Sequence, residues 1–203
     1  MRIFTIGHSN RSLKELIEIL RTHRLGCLLD VRSYPSSRFS PHFDRPVLEV
    51  ELQNCGIQYV WFGRRLGGYR KPTGKKSPND GWSSWEFRSY ADYALTNDFA
   101  DAIGEVESTA RRTRTVLMCA EKMYTSCHRQ IIADHLTARG WTVVHILDQE
   151  AVQPHRMTPF ARVEGRQVTY PPRYEERTLD DFAAGVSIDH SADHNDARPM
   201  RER

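Results

Sequence analysis

The sequence VLMCAEKMYTSCHRQIIADHL, residues 116–136, contains the pattern that decides the fold of this chain. It begins within a short apolar run at 115–118, long enough for one buried strand, and it ends in a helical pattern with an apolar face over 131–136. Between them lies a loop of polar and reactive side chains. Open α/β sheets form ligand sites where strands end in such loops, so we expect a ligand site here.

Strands and helices alternate along the rest of the chain. Further strands are predicted at 2–6, 27–31, 57–62 and 142–147. Helices are predicted at 13–20, 46–56, 85–95 and 98–111. The run at 27–31 is continuously apolar until Asp30, which favours a parallel strand covered on both faces. The pattern predicts a three-layer, Rossmann-like α/β domain with a mainly parallel five-stranded sheet.

The end of the chain departs from this alternation. Segments 161–164 and 167–170 flank Gly165 and predict a small C-terminal hairpin. Charged and small polar residues dominate from residue 175, so we expect one α/β domain at 1–174 and a disordered tail at 175–203.

Composition and charge restrict the classes of function. The formal net charge is only +3, and most of the 29 basic residues are arginine, a residue suited to bidentate contacts with phosphate or carboxylate. A compositional bias towards arginine explains the same excess. No apolar run reaches the roughly 20 residues of a membrane span, and no signal peptide is evident, so no membrane association is expected. Four cysteines without a dense framework suit a reducing, cytoplasmic location.

Loops that follow parallel strands lie on one edge of a sheet, and we use this rule to select the candidate site residues. The candidate catalytic residues are His8, Asp30, Glu121, Cys127 and His128. The candidate ligand-binding residues are Ser9, Arg32, Arg38, Gly67, Gly68 and Arg129.

Cys127 lies where a helix is predicted to begin, beside His128 and Arg129. A helix N-terminus and a neighbouring cation both lower the pKa of a thiol and favour the reactive thiolate. His128 and Glu121 are candidates for acid or base catalysis. The alternatives are an inert, half-buried cysteine and a Glu121 that only forms a salt bridge.

Arg32, Arg38 and Arg129 predict a pocket for an anionic small molecule, with a nucleotide or nucleic acid as the expected partner. The alternative is that these arginines pair with Asp30 and Glu121. A second basic feature is the Gly-rich stretch 63–81, which lacks hydrophobic periodicity. It is compatible with a functional flap that tracks a phosphate backbone, or with a solvated or mobile loop.

Several familiar sites do not match the sequence. A phosphatase loop needs Cys, five residues and Arg, but Thr125 is the sixth residue after Cys119. Cys119, Cys127 and His128 offer three zinc ligands, but their spacing is not a recognised one, so no metal site is predicted. The LDVR stretch at 29–32 weakly suggests a rhodanese-like sulfurtransferase. Neither a cofactor nor an oligomeric state is indicated.

Several short motifs together resemble the "domain of unknown function 488" family. They are TIGHS at 5–9, DVR at 30–32 followed by Pro35, Ser37, Arg38 and Phe39, LGG at 66–68, CAE at 119–121, CHR at 127–129 and PHRMTP at 154–159. The resemblance extends over about residues 2–172. It implies a single α/β domain in bacterial or archaeal cytoplasm, and it implies no activity.

Three functional hypotheses remain open on the sequence. The first is an enzyme that binds an anionic substrate through arginines and acts through the Cys/His/Glu cluster. The second is a nucleic-acid-binding module without catalysis, and the third is a thiol redox, metal-binding or rhodanese-like protein. Whether the chain is an enzyme is therefore undecided at this stage.

Overall fold

A computed structural model describes residues 1–74 and 76–172 of the chain. These residues belong to one compact unit, Met1–Arg173. The tail predicted at 175–203 lies outside the described residues, so the proposed bounds of domain and tail stay predictions.

Strands and helices alternate much as the sequence predicts. The strands are β1 Arg2–Gly7, β2 Cys27–Asp30, β3 Gln58–Trp61, β4 Thr115–Cys119, β5 Thr142–Ile146, β6 Val152–Pro154, β7 Arg162–Glu164 and β8 Gln167–Thr169. The helices are α1 Leu13–Thr22, α2 Arg45–Asn54, α3 Gly63–Leu66, α4 Trp85–Tyr93, α5 Asn97–Arg112 and α6 Arg129–Ala138.

The central sheet has six strands in the order β3-β2-β4-β1-β5-β6. The five predicted strands run parallel, and β6 pairs antiparallel with β5. Strand β6 was not predicted, because three residues are too few to show a period. The predicted C-terminal hairpin is confirmed as β7 and β8, which turn through Gly165 at φ 62°. The Rossmann-like classification stays a prediction.

Helices cover both faces of the sheet and form the predicted three layers. One apolar core joins the sheet to α1 and α2 through Leu16, Leu20, Leu48 and Leu52. The other joins it to α4, α5 and α6 through Tyr90, Phe99, Ile103, Ile131 and Ile132. Because successive strand residues point to opposite faces, the uninterrupted apolar strands supply both cores.

Local signals in the sequence account for the ends of several elements. The Ser12–Glu15 pair forms the predicted capping box of α1, with the Ser12 N–H donating to Oε2 of Glu15 at 2.6 Å and the Glu15 N–H donating to Oγ of Ser12 at 3.2 Å. Gly140 follows α6 at φ 85°, where glycine avoids the steric cost that a side chain would add.

None of the helices within 1–74 and 76–172 combines the length and apolarity that a bilayer crossing requires.

Candidate functional site

The parallel register brings the carboxyl ends of the central strands to one edge of the sheet. Gly7 at the end of β1 lies opposite Cys119 at the end of β4, and Asp30 at the end of β2 lies opposite Met118. Backbone pairing continues past β1, since the N–H of His8 donates to the Cys119 carbonyl at 2.9 Å. The loops that carry the candidate residues therefore leave the sheet side by side.

The loop between β4 and α6 holds the two cysteines of the candidate site. It leaves β4 at Cys119, passes through a 3-10 turn at Tyr124–Ser126, and reaches Cys127. His128 occupies the N-cap position and α6 begins at Arg129, two residues after the helix start predicted at Cys127. Cys127 thus immediately precedes the positive end of a buried helix.

Cys119, Cys127 and His128 form a compact cluster. Their two sulfur atoms and a ring nitrogen all lie within 4.8 Å of one another. Nδ1 of His128 is 3.9 Å from Sγ of Cys119 and 3.7 Å from Sγ of Cys127. Nε2 lies 3.2 Å from the Val31 carbonyl, which only accepts, so Nε2 carries a hydrogen and Nδ1 faces the sulfurs, with a lone pair in the neutral ring and an N–H once the ring has accepted a proton.

The two thiols have opposite electrostatic environments. Burial raises the pKa of Cys127, but the hydrogen bond from Cys119 and the neighbouring His128 and Arg129 outweigh burial and lower that pKa well below its usual value. The hydrogen bond to Cys127, together with burial, raises the pKa of Cys119 well above its usual value. These contacts therefore favour a thiolate on Cys127 over one on Cys119.

Arg129 is fully buried and is held by the loop it supports. Its Nε–H donates to Sγ of Cys127 at 3.3 Å. Its Nη2 donates to the carbonyl of Glu121 and, at 3.4 Å, to that of Lys122. The guanidinium therefore fixes the loop and balances the thiolate, rather than projecting into solvent as an anion clamp.

Asp30 and Arg32 form a second internal pair. Nε of Arg32 lies 2.9 Å from Oδ1 of Asp30, and Nη2 lies 2.6 Å from Oδ2. Nη2 also donates to the Phe43 carbonyl at 2.8 Å, while the Tyr59 hydroxyl donates to Oδ2 of Asp30 at 2.8 Å. The alternative that Arg32 pairs with Asp30 is thus what the structure shows.

His8 completes this buried polar group. Its Nδ1 donates to the Ser9 carbonyl at 2.9 Å, and its Nε2 accepts from Nη1 of Arg32 at 3.4 Å. The ring stacks on Phe43 with centroids 4.3 Å apart. Burial and the charge of Arg32 lower the pKa of His8 to about 4, so the ring is neutral near pH 7 and supports the strand ends.

Glycines allow the loops of the site to approach one another. A Cβ on Gly7 would lie 1.8 Å from the Glu121 carbonyl oxygen, and one on Gly68 would lie 2.5 Å from Nδ1 of His128. A Cβ on Gly67 would lie 2.3 Å from the Gly63 carbonyl oxygen. The predicted residues Gly67 and Gly68 therefore contribute close backbone approach.

A pocket of about 290 Å³ opens over the cluster. Its lining consists of Gly68, Tyr69, Glu86, Phe87, Cys119, Glu121, Ser126, Cys127 and His128. The predicted residues Glu121, Cys127, His128 and Gly68 meet there. Ser9 is partly buried in the loop after β1 at φ 51°, and Arg38 is exposed on the loop after β2.

Sequence reasoning did not assign Glu86, Phe87 and Ser126 to the pocket. Glu86 and Phe87 lie in α4, and their position at the pocket depends on the path of the chain between β3 and α4. Tyr69 lies within the basic, Gly-rich stretch 63–81 and was likewise not assigned to the pocket. No local pattern in the sequence marks these positions as pocket residues.

A buried polar network that includes His155 and Tyr170 anchors the loop between β4 and α6. Asp134 in α6 lies 2.9 Å from Nε2 of His155 and accepts from the Tyr170 hydroxyl at 2.9 Å. Nδ1 of His155 contacts Nε2 of His145 at 2.9 Å. The ring of Tyr124 stacks on His145 with centroids 3.5 Å apart, so the network reaches the turn before Cys127.

Comparison with known proteins gives one match. A family model described as "Domain of unknown function DUF488" matches residues 12–136, which include β4, both cysteines and His128. Neither a curated protein nor a solved structure matches the chain.

Proposed function

The chain belongs to the DUF488 family of unknown function, and we propose that it is an enzyme that uses Cys127 as a nucleophile, with His128 as its proton acceptor. The conclusion depends on one observation above all. Nδ1 of His128 presents its lone pair to the two sulfurs on the floor of a pocket, and a hydrogen bond to Val31 fixes that orientation.

The surroundings of Cys127 are those of a reactive thiol rather than an inert core cysteine. Its sulfur accepts from Arg129 at 3.3 Å, lies before the N-terminus of α6, and lines a pocket. An electropositive position with access to a pocket is what reactive cysteines require. Cys27 offers a contrast, because burial raises its pKa to about 11 and it lies within the apolar core.

The geometry supports a covalent first step. Nδ1 of His128 takes the proton of Cys127, and the thiolate attacks an electrophilic atom of the substrate. The bond from that atom to its leaving group breaks, and Nδ1 returns the same proton to the leaving group. An acceptor then attacks the group held on Cys127, the bond from that group to Sγ breaks, and Nδ1 takes the acceptor's proton, which leaves Cys127 as a thiolate. Glu121, on the pocket lining, is proposed to orient the acceptor.

The pocket favours a small neutral or positively charged substrate over the anionic one predicted from the sequence. Arg32 and Arg129 are both engaged in buried internal contacts. The charged residues on the pocket lining are the carboxylates Glu86 and Glu121, and Tyr69 and Phe87 supply aromatic surface. A cationic or aromatic electrophile complements such walls.

The nucleic-acid alternative has less support, because two of the basic residues after β3, Arg65 and Arg70, are engaged with the protein itself. Arg65 pairs with Glu105 at 2.5 Å. The Arg70 guanidinium lies 3.9 Å from the centroid of the Tyr93 ring and donates to the Arg65 carbonyl at 3.0 Å. A phosphate backbone would have to displace these contacts.

A panel of electrophiles tests the proposal and identifies the reaction class. Metal-free protein is mixed with an activated ester, a thiosulfonate and a disulfide, and adducts are located by peptide mass spectrometry. We expect at least one of these reagents to form an adduct on Cys127, and we expect that adduct to be lost in Cys127→Ser and unchanged in the control Cys55→Ser. Labelling confined to Cys55, the half-buried cysteine at the end of α2, would refute the proposal.

A further inference from the structure

We infer that Cys119, Cys127 and His128 also form a binding site for a thiophilic divalent cation of the zinc class. The sequence spacing of these residues matches no recognised motif, but folding brings their ligand atoms within 4.8 Å of one another. Two thiolates and one imidazole form a donor set that Zn²⁺ prefers. A metal site here goes beyond the nucleophilic role of Cys127 and does not depend on it.

The distances within the cluster suit a tetrahedral ion. With Zn–S bonds of about 2.3 Å and Zn–N bonds of about 2.0–2.1 Å, tetrahedral angles place a sulfur and a nitrogen ligand roughly 3.6 Å apart. Nδ1 of His128 lies 3.7 Å from Sγ of Cys127 and 3.9 Å from Sγ of Cys119. These two distances need shifts of only a few tenths of an ångström, while the two sulfurs, which lie within 4.8 Å of each other, would have to approach to about 3.8 Å, a movement of up to about 1 Å.

The surroundings of His128 are those of a metal ligand. A ligating imidazole commonly donates its other N–H to a carbonyl or carboxylate, which fixes the tautomer and the ring orientation. Here Nε2–H donates to the Val31 carbonyl at 3.2 Å. The backbone of Gly68, in the loop after β3, packs close to Nδ1, and the Tyr90 ring lies 4.9 Å from the His128 ring, centroid to centroid. The lone pair of Nδ1 is therefore held towards the sulfurs before any ion arrives.

A side chain outside the cluster, Arg129, also contacts one of the two sulfurs. Nε of Arg129 donates to Sγ of Cys127 at 3.3 Å, a hydrogen bond that tunes a ligating sulfur. An ion with two thiolates and a neutral imidazole carries no net charge, which reduces the cost of burying it. Cys119 and Cys127 have exposed fractions of only 7% and 3%, so few solvent contacts compete with the metal.

The fourth coordination position would open onto the pocket. Cys119, Cys127 and His128 all line the same pocket of about 290 Å³. Three protein ligands with an accessible fourth position are typical of catalytic or exchangeable zinc sites, whereas structural sites are closed by four protein ligands. A water molecule or a small substrate group would occupy that position.

Metal binding and the nucleophilic role exclude each other at a given moment, since a thiolate bound to zinc is not free to attack. A bound ion would therefore inhibit the proposed reaction of Cys127. Failure of either idea can be recognised separately. Reactive Cys127 without metal binding would overturn this inference alone, and metal binding with unreactive metal-free Cys127 would overturn the proposed function alone.

Cobalt(II) titration of the metal-free full chain tests the site. We expect a thiolate-to-cobalt charge-transfer band and the visible bands of a tetrahedral site, saturating at one ion per chain and displaced by Zn²⁺. Loss of an outer-shell partner weakens metal binding roughly 10–100-fold. Loss of a ligand should weaken cobalt binding by more than that in each of the variants Cys119→Ser, Cys127→Ser and His128→Gln. Cys27→Ser and Cys55→Ser are the matched controls and should bind as the wild type does.

A second measurement needs no variant and so does not depend on variant folding. Wild-type protein with one equivalent of Zn²⁺ should be protected from alkylation at Cys119 and Cys127, while labelling of Cys55 continues. The inference is overturned if no thiolate–cobalt band forms, if the band survives loss of both ligand cysteines, or if Zn²⁺ leaves Cys127 labelling unchanged. A Cys119–Cys127 disulfide that persists after reduction would overturn it as well.

Discussion

Gly68 packs against the imidazole of His128 so closely that a Cβ on Gly68 would lie 2.5 Å from Nδ1. That nitrogen is the atom that faces the sulfurs of Cys119 and Cys127. Gly68 therefore holds the proton acceptor of the proposed active site in place, and we propose a positioning role for this glycine; its predicted role in ligand binding stays a prediction.

Substitution of Gly68 by alanine should displace the His128 ring and slow alkylation of Cys127 by at least about tenfold, because general base assistance contributes 100-fold or more when it is well aligned. The rate is measured by peptide mass spectrometry after timed exposure to iodoacetamide. Gly104→Ala in α5 is the control, since nothing lies within 4 Å of its Cβ position. It should leave the rate unchanged and raise the free energy of unfolding by about 0.5–1 kcal/mol. Equal reactivity of Gly68→Ala and wild type would contradict the positioning role.

Arg129→Lys keeps a positive charge but loses the planar fork that reaches Cys127, Glu121 and Lys122. It should lower the free energy of unfolding by about 2–4 kcal/mol, because buried hydrogen bonds to a charged group are lost. Urea denaturation measures the change. Arg38→Lys on the exposed loop should stay within about 0.5 kcal/mol of wild type. A similarly small change for Arg129→Lys would show that its internal contacts are not needed.

The Asp30–Arg32 pair should behave as a buried structural unit. Asp30→Asn and Arg32→Met each leave one buried charge without its partner and should each cost about 3–5 kcal/mol of unfolding free energy. The double variant should cost less than the two single costs added together, and a double-mutant cycle measures the difference. Glu18→Gln in the exposed Lys14–Glu18 pair is the control, with an expected cost below about 1 kcal/mol. Additive costs at Asp30 and Arg32 would argue against a coupled pair.

His135 should make stability depend on pH. Burial, and then Arg139, lower its pKa to about 4, while Asp134 opposes that shift. In the unfolded chain the pKa is near 6.5, so the unfolded state binds more protons between these values. Its contribution is complete above about pH 6.5 and is lost as the pH falls towards 4, by up to roughly 3 kcal/mol.

His135→Leu removes this titration while keeping an apolar side chain against Phe99. The loss of unfolding free energy between pH 6.5 and 4 should therefore be smaller in the variant than in wild type, as measured by urea midpoints across that range. An identical pH dependence would show that another group is responsible.

The fold was largely predictable because its signals are local. The capping box at Ser12, the uninterrupted apolar run before Asp30 and the turn at Gly165 each act within a few residues. Strand β6 escaped prediction because its residues Val152–Pro154 are too few to show a period, and its pairing with β5 is tertiary.

Part of the pocket lining was predicted from the sequence, and the contacts of its neighbouring arginines were not. The rule for strand ends assembled Cys127, His128 and Glu121, which do line one pocket. It could not show that Arg32 and Arg129 point into the protein, because that depends on which buried carbonyls and carboxylates they meet. The convergence of Cys119 with His128 likewise depends on the path of an eight-residue connection that has no recognised motif.

The most direct test of the central claim compares the cysteines of metal-free wild-type protein under limiting iodoacetamide. We predict that Cys127 is alkylated at least about tenfold faster than the more exposed Cys55, and that His128→Gln removes this advantage without changing the Cys55 rate. Peptide mass spectrometry gives both rates in one experiment. A Cys127 that reacts no faster than Cys55, or equally fast without His128, would contradict the account.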